Sequence, residues 1–195
     1  MALNNFSSWT VSVLRLGRGL GVRQVTTQPE KRLVLYEFEA CPYCRKVREV
    51  LSELDLDYHC IPCARGSKHR AEVAARGGAA MFPYLVDPNT EVAMYQSEDI
   101  ITYLCETYGK GRSVLGKLSA PLNISTAALS SMVRPKGRVV SDFAAQRPDP
   151  EQPLLLWGFE ASPYCRKARE RLNELDLPYV CHNVAKRGSR RQALV

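Results

Sequence analysis

The sequence predicts an α/β domain built on a central sheet, followed by a partial second copy of the same unit. Three observations carry that prediction. Strand-like and helix-like segments follow one another as β-α-β-(α)-β-β-α between Leu33 and Gly109. Residues 33–60, LVLYEFEACPYCRKVREVLSELDLDYHC, return as residues 154–181, LLLWGFEASPYCRKARERLNELDLPYVC, with 19 of 28 positions identical at an offset of 121. Each copy also sets a short Pro-Tyr-Cys motif where strand gives way to helix: Cys41-Pro42-Tyr43-Cys44 in the first and Ser162-Pro163-Tyr164-Cys165 in the second.

Leu33–Phe38 is rich in strand formers and reads as a buried strand. The following segment places Val47, Val50, Leu51 and Leu54 at helical spacing, with Pro42 near the helix start, where its missing N–H costs nothing. Tyr58–Cys63 reads as a second strand, and a short helix through Arg76 is ended by Gly77-Gly78. Tyr84–Val86 is a third strand, led in by Phe82-Pro83; Asp87-Pro88-Asn89-Thr90 turns the chain into a fourth, Val92–Tyr95. Ser97 then opens a helix that stops at Gly109. The expected domain layout is a basic N-terminal segment (1–30), the first unit (31–109), a connector (110–153) and a truncated second unit (154–195). Within the connector, Ser113–Val133 has apolar residues for one packing helix, divided by Pro121. Arg45-Lys46 and Arg166-Lys167 read as solvated helix faces. The second unit supplies strand, helix and strand only, so Leu154–Trp157 is expected to keep an unpaired edge and the unit to need a partner.

Composition narrows the function. The net charge of +7 invites a nucleic-acid reading, but residues 33–109 hold 7 Lys/Arg against 12 Asp/Glu, so the excess lies on the flanks and forms no basic groove. No apolar run approaches the roughly 20 residues of a spanning helix. Seven cysteines without a secretory signal point to a reducing compartment. The first 29 residues hold no Asp or Glu but carry Arg15, Arg18 and Arg23 among six Ser/Thr, the composition of an organelle transit segment; a frayed basic terminus is the alternative.

Cys-Pro-Tyr-Cys, Phe82-Pro83 before the third strand and Tyr95-Gln96-Ser97 before the last helix together resemble the thioredoxin-like superfamily, specifically the glutaredoxin and glutathione transferase N-terminal domain. YEFEACPYCRKVRE and SPYCRKARE are similar to chloroplast proteins of plants and algae that carry two tandem copies of this domain. The resemblance implies a glutathione-linked thiol–disulfide oxidoreductase, with glutathione as co-substrate and protein disulfides or glutathionylated proteins as partners, and a chloroplast location, with mitochondrion or cytoplasm as alternatives. It implies Cys41 as nucleophile, Cys44 as resolving thiol, and a glutathione site from Tyr43, Phe82, a cis Pro83, Gln96 and Ser97. Ser162 and Cys165 then form a degenerate second site. The chain departs from the family in three ways: Glu37 and Glu39 flank the dithiol where a basic residue is usual, no all-helical domain supplies an electrophile pocket, and the second copy lacks counterparts of Pro83 and Ser97. A non-catalytic glutathione-binding or interaction module is the alternative. A third reading is structural zinc on Cys41, Cys44, Cys60 and Cys63, whose spacing fits a four-cysteine site, although no metal is expected because the repeat keeps only two of the four positions.

Overall fold

The computed structural model describes residues 2–24, 26–111, 120–144 and 148–191. Its elements are α1 (Ala2–Leu14), β1 (Leu33–Glu37), α2 (Pro42–Glu53), β2 (Tyr58–Pro62), α3 (Arg70–Gly77), β3 (Tyr84–Asp87), β4 (Val92–Met94), α4 (Ser97–Thr107), α5 (Ala120–Val133), β5 (Leu154–Gly158), α6 (Pro163–Glu174) and β6 (Tyr179–Asn183). The sheet order is β4-β3-β1-β2-β6-β5, with β1‖β2 and β5‖β6 parallel and the other three pairings antiparallel. Residues 33–107 thus adopt the thioredoxin-like arrangement, and β5-α6-β6 repeats its first half.

Alternate residues of β1 explain why both sheet faces are covered. Leu33 and Leu35 pack with Val47 and Leu51 of α2 and with Ile100 and Leu104 of α4. Tyr36 faces the other way, with Ile61, Val73 and Tyr84. The same Leu-Asp-Leu ends both α2 and α6; Asp55 and Asp176 take left-handed backbone (φ 57° and 53°), a conformation that Asp tolerates better than most residues.

The two copies pack through a pseudo-twofold axis. Strand β2 meets β6 antiparallel with Tyr58 opposite Cys181, His59 opposite Val180 and Cys60 opposite Tyr179, so each residue faces the counterpart of its mirror position. The relation extends to side chains. The Asn173 Oδ1 accepts the Glu39 N–H at 3.3 Å, as the Ser52 Oγ accepts the Glu160 N–H at 3.2 Å. Asp176 accepts the Lys68 N–H, and Asp55 the Ser189 N–H.

The repeat also reaches further back than the sequence suggested. Residues 4–15 and 123–134 align with three of twelve positions identical, Asn4/Asn123, Ser12/Ser131 and Arg15/Arg134. Arg15 bonds Glu49 and the Asn123 carbonyl, while Arg134 bonds Glu170 and the Asn4 carbonyl. After each helix a glycine at φ 72° turns the chain against the other copy: a Cβ on Gly19 would lie 3.0 Å from the Glu160 Cβ, and one on Gly137 3.2 Å from the Glu39 Cβ. Residues 4–15 of the basic N-terminal segment and residues 123–134 of the connector are therefore the same structural element used twice. Pro121 lies in the first turn of α5 and does not divide it. Residues 112–119 of the expected connector helix, like residues 192–195 of the second unit, lie outside the described residues.

Arg45 and Arg166, expected as solvated, are each 1% exposed. They join Arg48, Arg169, Glu39 and Glu160 where α2 and α6 cross the axis. Arg48 Nε lies 2.8 Å from Glu160 and Arg169 Nε 2.8 Å from Glu39, a swapped symmetric pair. Burial alone raises the two carboxyls, but Arg169 and Arg48 outweigh it and hold both below the usual range. The sheet ends at β4 on one side and at β5 on the other; β5 pairs with β6, and Leu155 and Trp157 remain exposed.

Removing one charge from this cluster strands the arginines it neutralised. Glu160→Gln is expected to lower stability by about 3–5 kcal/mol at neutral pH, as measured by urea unfolding. Because the folded pKa of Glu160 is depressed, its contribution is present above the ordinary carboxylate value and is lost as pH falls through the folded value. The gap between wild type and variant therefore narrows in acid. A difference below about 1 kcal/mol at neutral pH contradicts this account.

Candidate functional site

Cys41 is the N-cap of α2, with extended backbone, and Pro42 follows at the first helical position. Its Sγ accepts the Cys44 N–H at 3.3 Å. The Cys44 thiol and the backbone N–H groups of Cys44 and Tyr43 stabilise a thiolate, and together they outweigh burial, so the Cys41 pKa is lowered. Cys44, one turn on, is fully buried; burial and the neighbouring Cys41 push its thiol well up. That split suits an attacking and a resolving sulfur. Glu37 and Glu39, which flank the dithiol, both have arginine partners. Glu39 belongs to the interdomain arginine cluster, and Glu37 pairs with Arg48 and accepts from the Cys60 thiol at 3.2 Å. The Glu37 charge acts against the Cys41 thiolate, but less than the hydrogen bonds from Cys44 and Tyr43 act for it.

Tyr43, Phe82, Pro83, Gln96 and Ser97 converge around one depression of about 190 Å³, joined by Met81 and Tyr95, which the sequence reading did not place there. The Phe82–Pro83 bond is cis. Gln96 holds φ 66° and directs the chain into α4, with Ser97 buried at its first turn. Tyr95 stacks on Tyr84 at 4.4 Å and donates to the Ala79 carbonyl at 2.6 Å. Gly77 makes that possible, since a Cβ there would lie 2.1 Å from the Tyr95 hydroxyl.

Cys41 does not line this depression. It borders a second one, of about 520 Å³, where Phe38, Ala40 and Pro42 face Ala128, Ser131, Met132, Pro135 and Arg138 from α5 and the segment after it. The sequence reading missed these residues. The only signal was the weak likeness between residues 4–15 and 123–134.

In the second copy, the Ser162 Oγ accepts the Cys165 N–H at 3.2 Å, so it caps α6 as Cys41 caps α2. Helix α1 closes over it: the Ser12 hydroxyl donates to the Ala161 carbonyl at 2.7 Å and the Ser8 hydroxyl to the Pro163 carbonyl at 2.8 Å. Gly158 replaces Glu37, and a Cβ there would lie 2.9 Å from the Cys165 Sγ. The other cysteines behave as packing residues. Cys60 and Cys181 are buried in adjacent strands, and burial raises both thiols, that of Cys181 to about 12. Burial also raises Cys63. Among the described residues no group of three or more His, Cys, Asp or Glu is placed to hold a metal ion.

A family model described as the N-terminal domain of glutathione S-transferase matches residues 35–113 and 156–195, both copies and more than half of the chain. The chain belongs to the glutathione S-transferase N-terminal domain family. No curated protein and no solved structure matches it. Within this transferase-domain fold, the two matched segments are related by the pseudo-twofold axis, and among the described residues the first carries the elements β3, β4 and α4 as well.

Two outcomes follow from the geometry. Because the thiolate is the reactive form, the rate of Cys41 alkylation by iodoacetamide is expected to rise at lower pH than that of Cys44 or Cys63, and Cys41 is modified ahead of both near neutrality. Mass-spectrometric mapping of brief labelling across pH checks this, and faster labelling of Cys44 removes the nucleophile assignment. Gly77→Ala is expected to cost about 1–3 kcal/mol and to displace Tyr95, read as lower thermal stability with altered tyrosine fluorescence.

Proposed function

We propose that the chain carries out glutathione-linked thiol–disulfide exchange of the glutaredoxin type. The observation that carries the reading is Cys41: a helix-capping thiol of lowered pKa, with a fully buried partner thiol one turn away and the cis-proline depression beside it. In this reading the γ-glutamyl end of glutathione sits at Gln96-Ser97, where the α4 N-terminus favours an anion, and its backbone lies along Phe82-Pro83.

The Cys41 thiolate attacks the glutathione sulfur of a mixed disulfide. The S–S bond breaks, its electron pair leaves with the other sulfur, and that sulfur takes a proton from solvent. Cys41 is now oxidised as a glutathione mixed disulfide. A second glutathione thiolate attacks it, releasing oxidised glutathione and restoring Cys41. Cys44 is held protonated by burial, so the external glutathione is the faster resolver. The second copy takes no part. A serine hydroxyl does not ionise without a base, and Ser162 is covered by α1.

One observation favours a binding module without turnover: Cys41 is only 4% exposed. Single-turnover reduction of a glutathione mixed disulfide separates the two readings. Wild type is expected to reduce it, Cys44→Ser to retain the reaction, and Cys41→Ser to lose it by a factor of about 1,000 or more. The double variant Cys41→Ser, Cys44→Ser tests the second copy and is expected to be inactive. Glutathione binding without reduction by wild type establishes the binding module instead.

A further inference from the structure

Helices α1 and α5 are inside out. The residues that α1 and its end turn inward are Ser8, Val11, Ser12 and Arg15, three of them polar, bonded to the Pro163 and Ala161 carbonyls and to Glu49. Those turned outward, at helical spacing, are Phe6, Trp9, Val13 and Leu16, between 51% and 90% exposed. Helix α5 repeats the inversion: Ser130 and Arg134 are buried beside Ala127, while Leu122, Leu129 and Met132 are 47–77% exposed. A surface helix that faces water does the opposite, with its apolar stripe on the core. The two helices lie antiparallel, since Arg15 bonds the Asn123 carbonyl and Arg134 the Asn4 carbonyl. Both rest on the same layer, Arg15 against Glu49 of α2 and Arg134 against Glu170 of α6. Their outer stripes therefore look the same way, away from the sheet, and form one apolar face. Met132 on that face also lines the groove of about 520 Å³ beside Cys41.

We propose that the outer face of α1 and α5 docks on an anionic lipid bilayer. Charge as well as exposure points to that occupant. Lys136 bonds the Asn4 Oδ1 at 3.3 Å and Lys167 the Asn5 Oδ1 at 2.6 Å, so both ammonium groups border the first turn of α1, and Arg138 is exposed just beyond α5. Residues 1–29 and 107–141 contain no Asp or Glu, and the two carboxylates beneath the helices, Glu49 and Glu170, are already paired with Arg15 and Arg134. An apolar stripe rimmed by cations is the pattern of a helix lying in the boundary between lipid headgroups and acyl chains, with the cations on lipid phosphates and an aromatic such as Trp9 at the interface. A second copy of this chain seated on the same face would bring the same unbalanced cations together. A nucleic acid backbone meets the cations but leaves the aliphatic stripe in water. Docking here also gives a use to the chain's positive excess, which lies outside residues 33–109. It requires neither Cys41 nor glutathione.

The test is flotation of the full chain with two kinds of vesicle, phosphatidylcholine alone and phosphatidylcholine containing about one-third phosphatidylglycerol. Wild type is expected to partition at least roughly tenfold more strongly into the anionic vesicles. The double variant Trp9→Glu, Val13→Glu alters two exposed side chains, so its circular dichroism is expected to match wild type while its partitioning falls roughly tenfold or more. Leu155→Glu removes an exposed apolar residue from the β5 edge and is expected to bind as wild type does. The chain has two tryptophans, so Trp157→Phe leaves Trp9 as the reporter, and its emission is expected to shift to the blue and to be quenched by brominated acyl chains. Equal partitioning into both kinds of vesicle overturns the proposal, as does bound protein whose Trp9 is not quenched. So does a folded double variant that binds as wild type does. A dimer in sedimentation velocity that the double variant dissociates, with no vesicle binding, overturns it too and gives the face to a second copy.

Discussion

The structure depends on the cluster of buried arginines and glutamates at the pseudo-twofold axis. The charges of each copy there are met by partners from both copies. The main partner of Glu39 is Arg169 from the second copy, and Arg48 of the first copy bonds Glu160 of the second. Arg166 shows how close the balance is, since burial and the neighbouring Arg45 lower it to about 10 despite both carboxylates. Several charges removed from water together are tolerated only where geometry is tight on both sides, and the symmetry supplies that twice from one set of residues. Because α2 carries both Arg45 and Arg48 into the cluster and Cys41 at its cap, the same contacts that join the copies also hold the helix that presents the dithiol.

Most of the element order was legible because each strand and helix of the first unit buries its own apolar face. Val47, Leu51 and Leu54 mark α2 by spacing, and Gly78, at φ 84°, ends α3. Arg45 and Arg166 were misread because a charged helix face looks solvated until it is known to pack against a copy of itself. A charged residue just past α1 is buried in the same way: Arg15 lies against Glu49. Arg15 and Arg134 carry the relation between α1 and α5, and so few shared positions do not stand out in a single sequence.

The site divides along the same line. Cys41, Cys44 and the depression from Tyr43 to Ser97 were legible because chemistry and backbone geometry restrict which residues stand there. Tyr95 belongs to that depression through a contact with Gly77, a packing relation that no motif records. Glu37 opposes the Cys41 thiolate as a nearby carboxylate does, whereas the arginine that takes up the charge of Glu39 comes from the second copy, too far along the chain for the sequence to show. The groove beside Cys41 was illegible for a different reason: its far wall comes from residues some ninety positions away, in a segment whose role depends on the second copy.

That dependence explains how the second copy keeps its place with serine at position 162. As an N-cap, serine satisfies the first free helix N–H as well as or better than cysteine does, and the bond from Cys165 N–H to Ser162 is 3.2 Å against 3.3 Å for Cys44 to Cys41. Exchanging sulfur for oxygen at position 162 therefore removes a nucleophile while leaving α6 capped and Arg166 and Arg169 in the cluster. Gly158 in place of Glu37 leaves space for the Cys165 sulfur. What the second copy must retain is set by the first: a strand to cover the edge of β2, two arginines to neutralise Glu39, and a helix, α5, to form one wall of the groove at the dithiol.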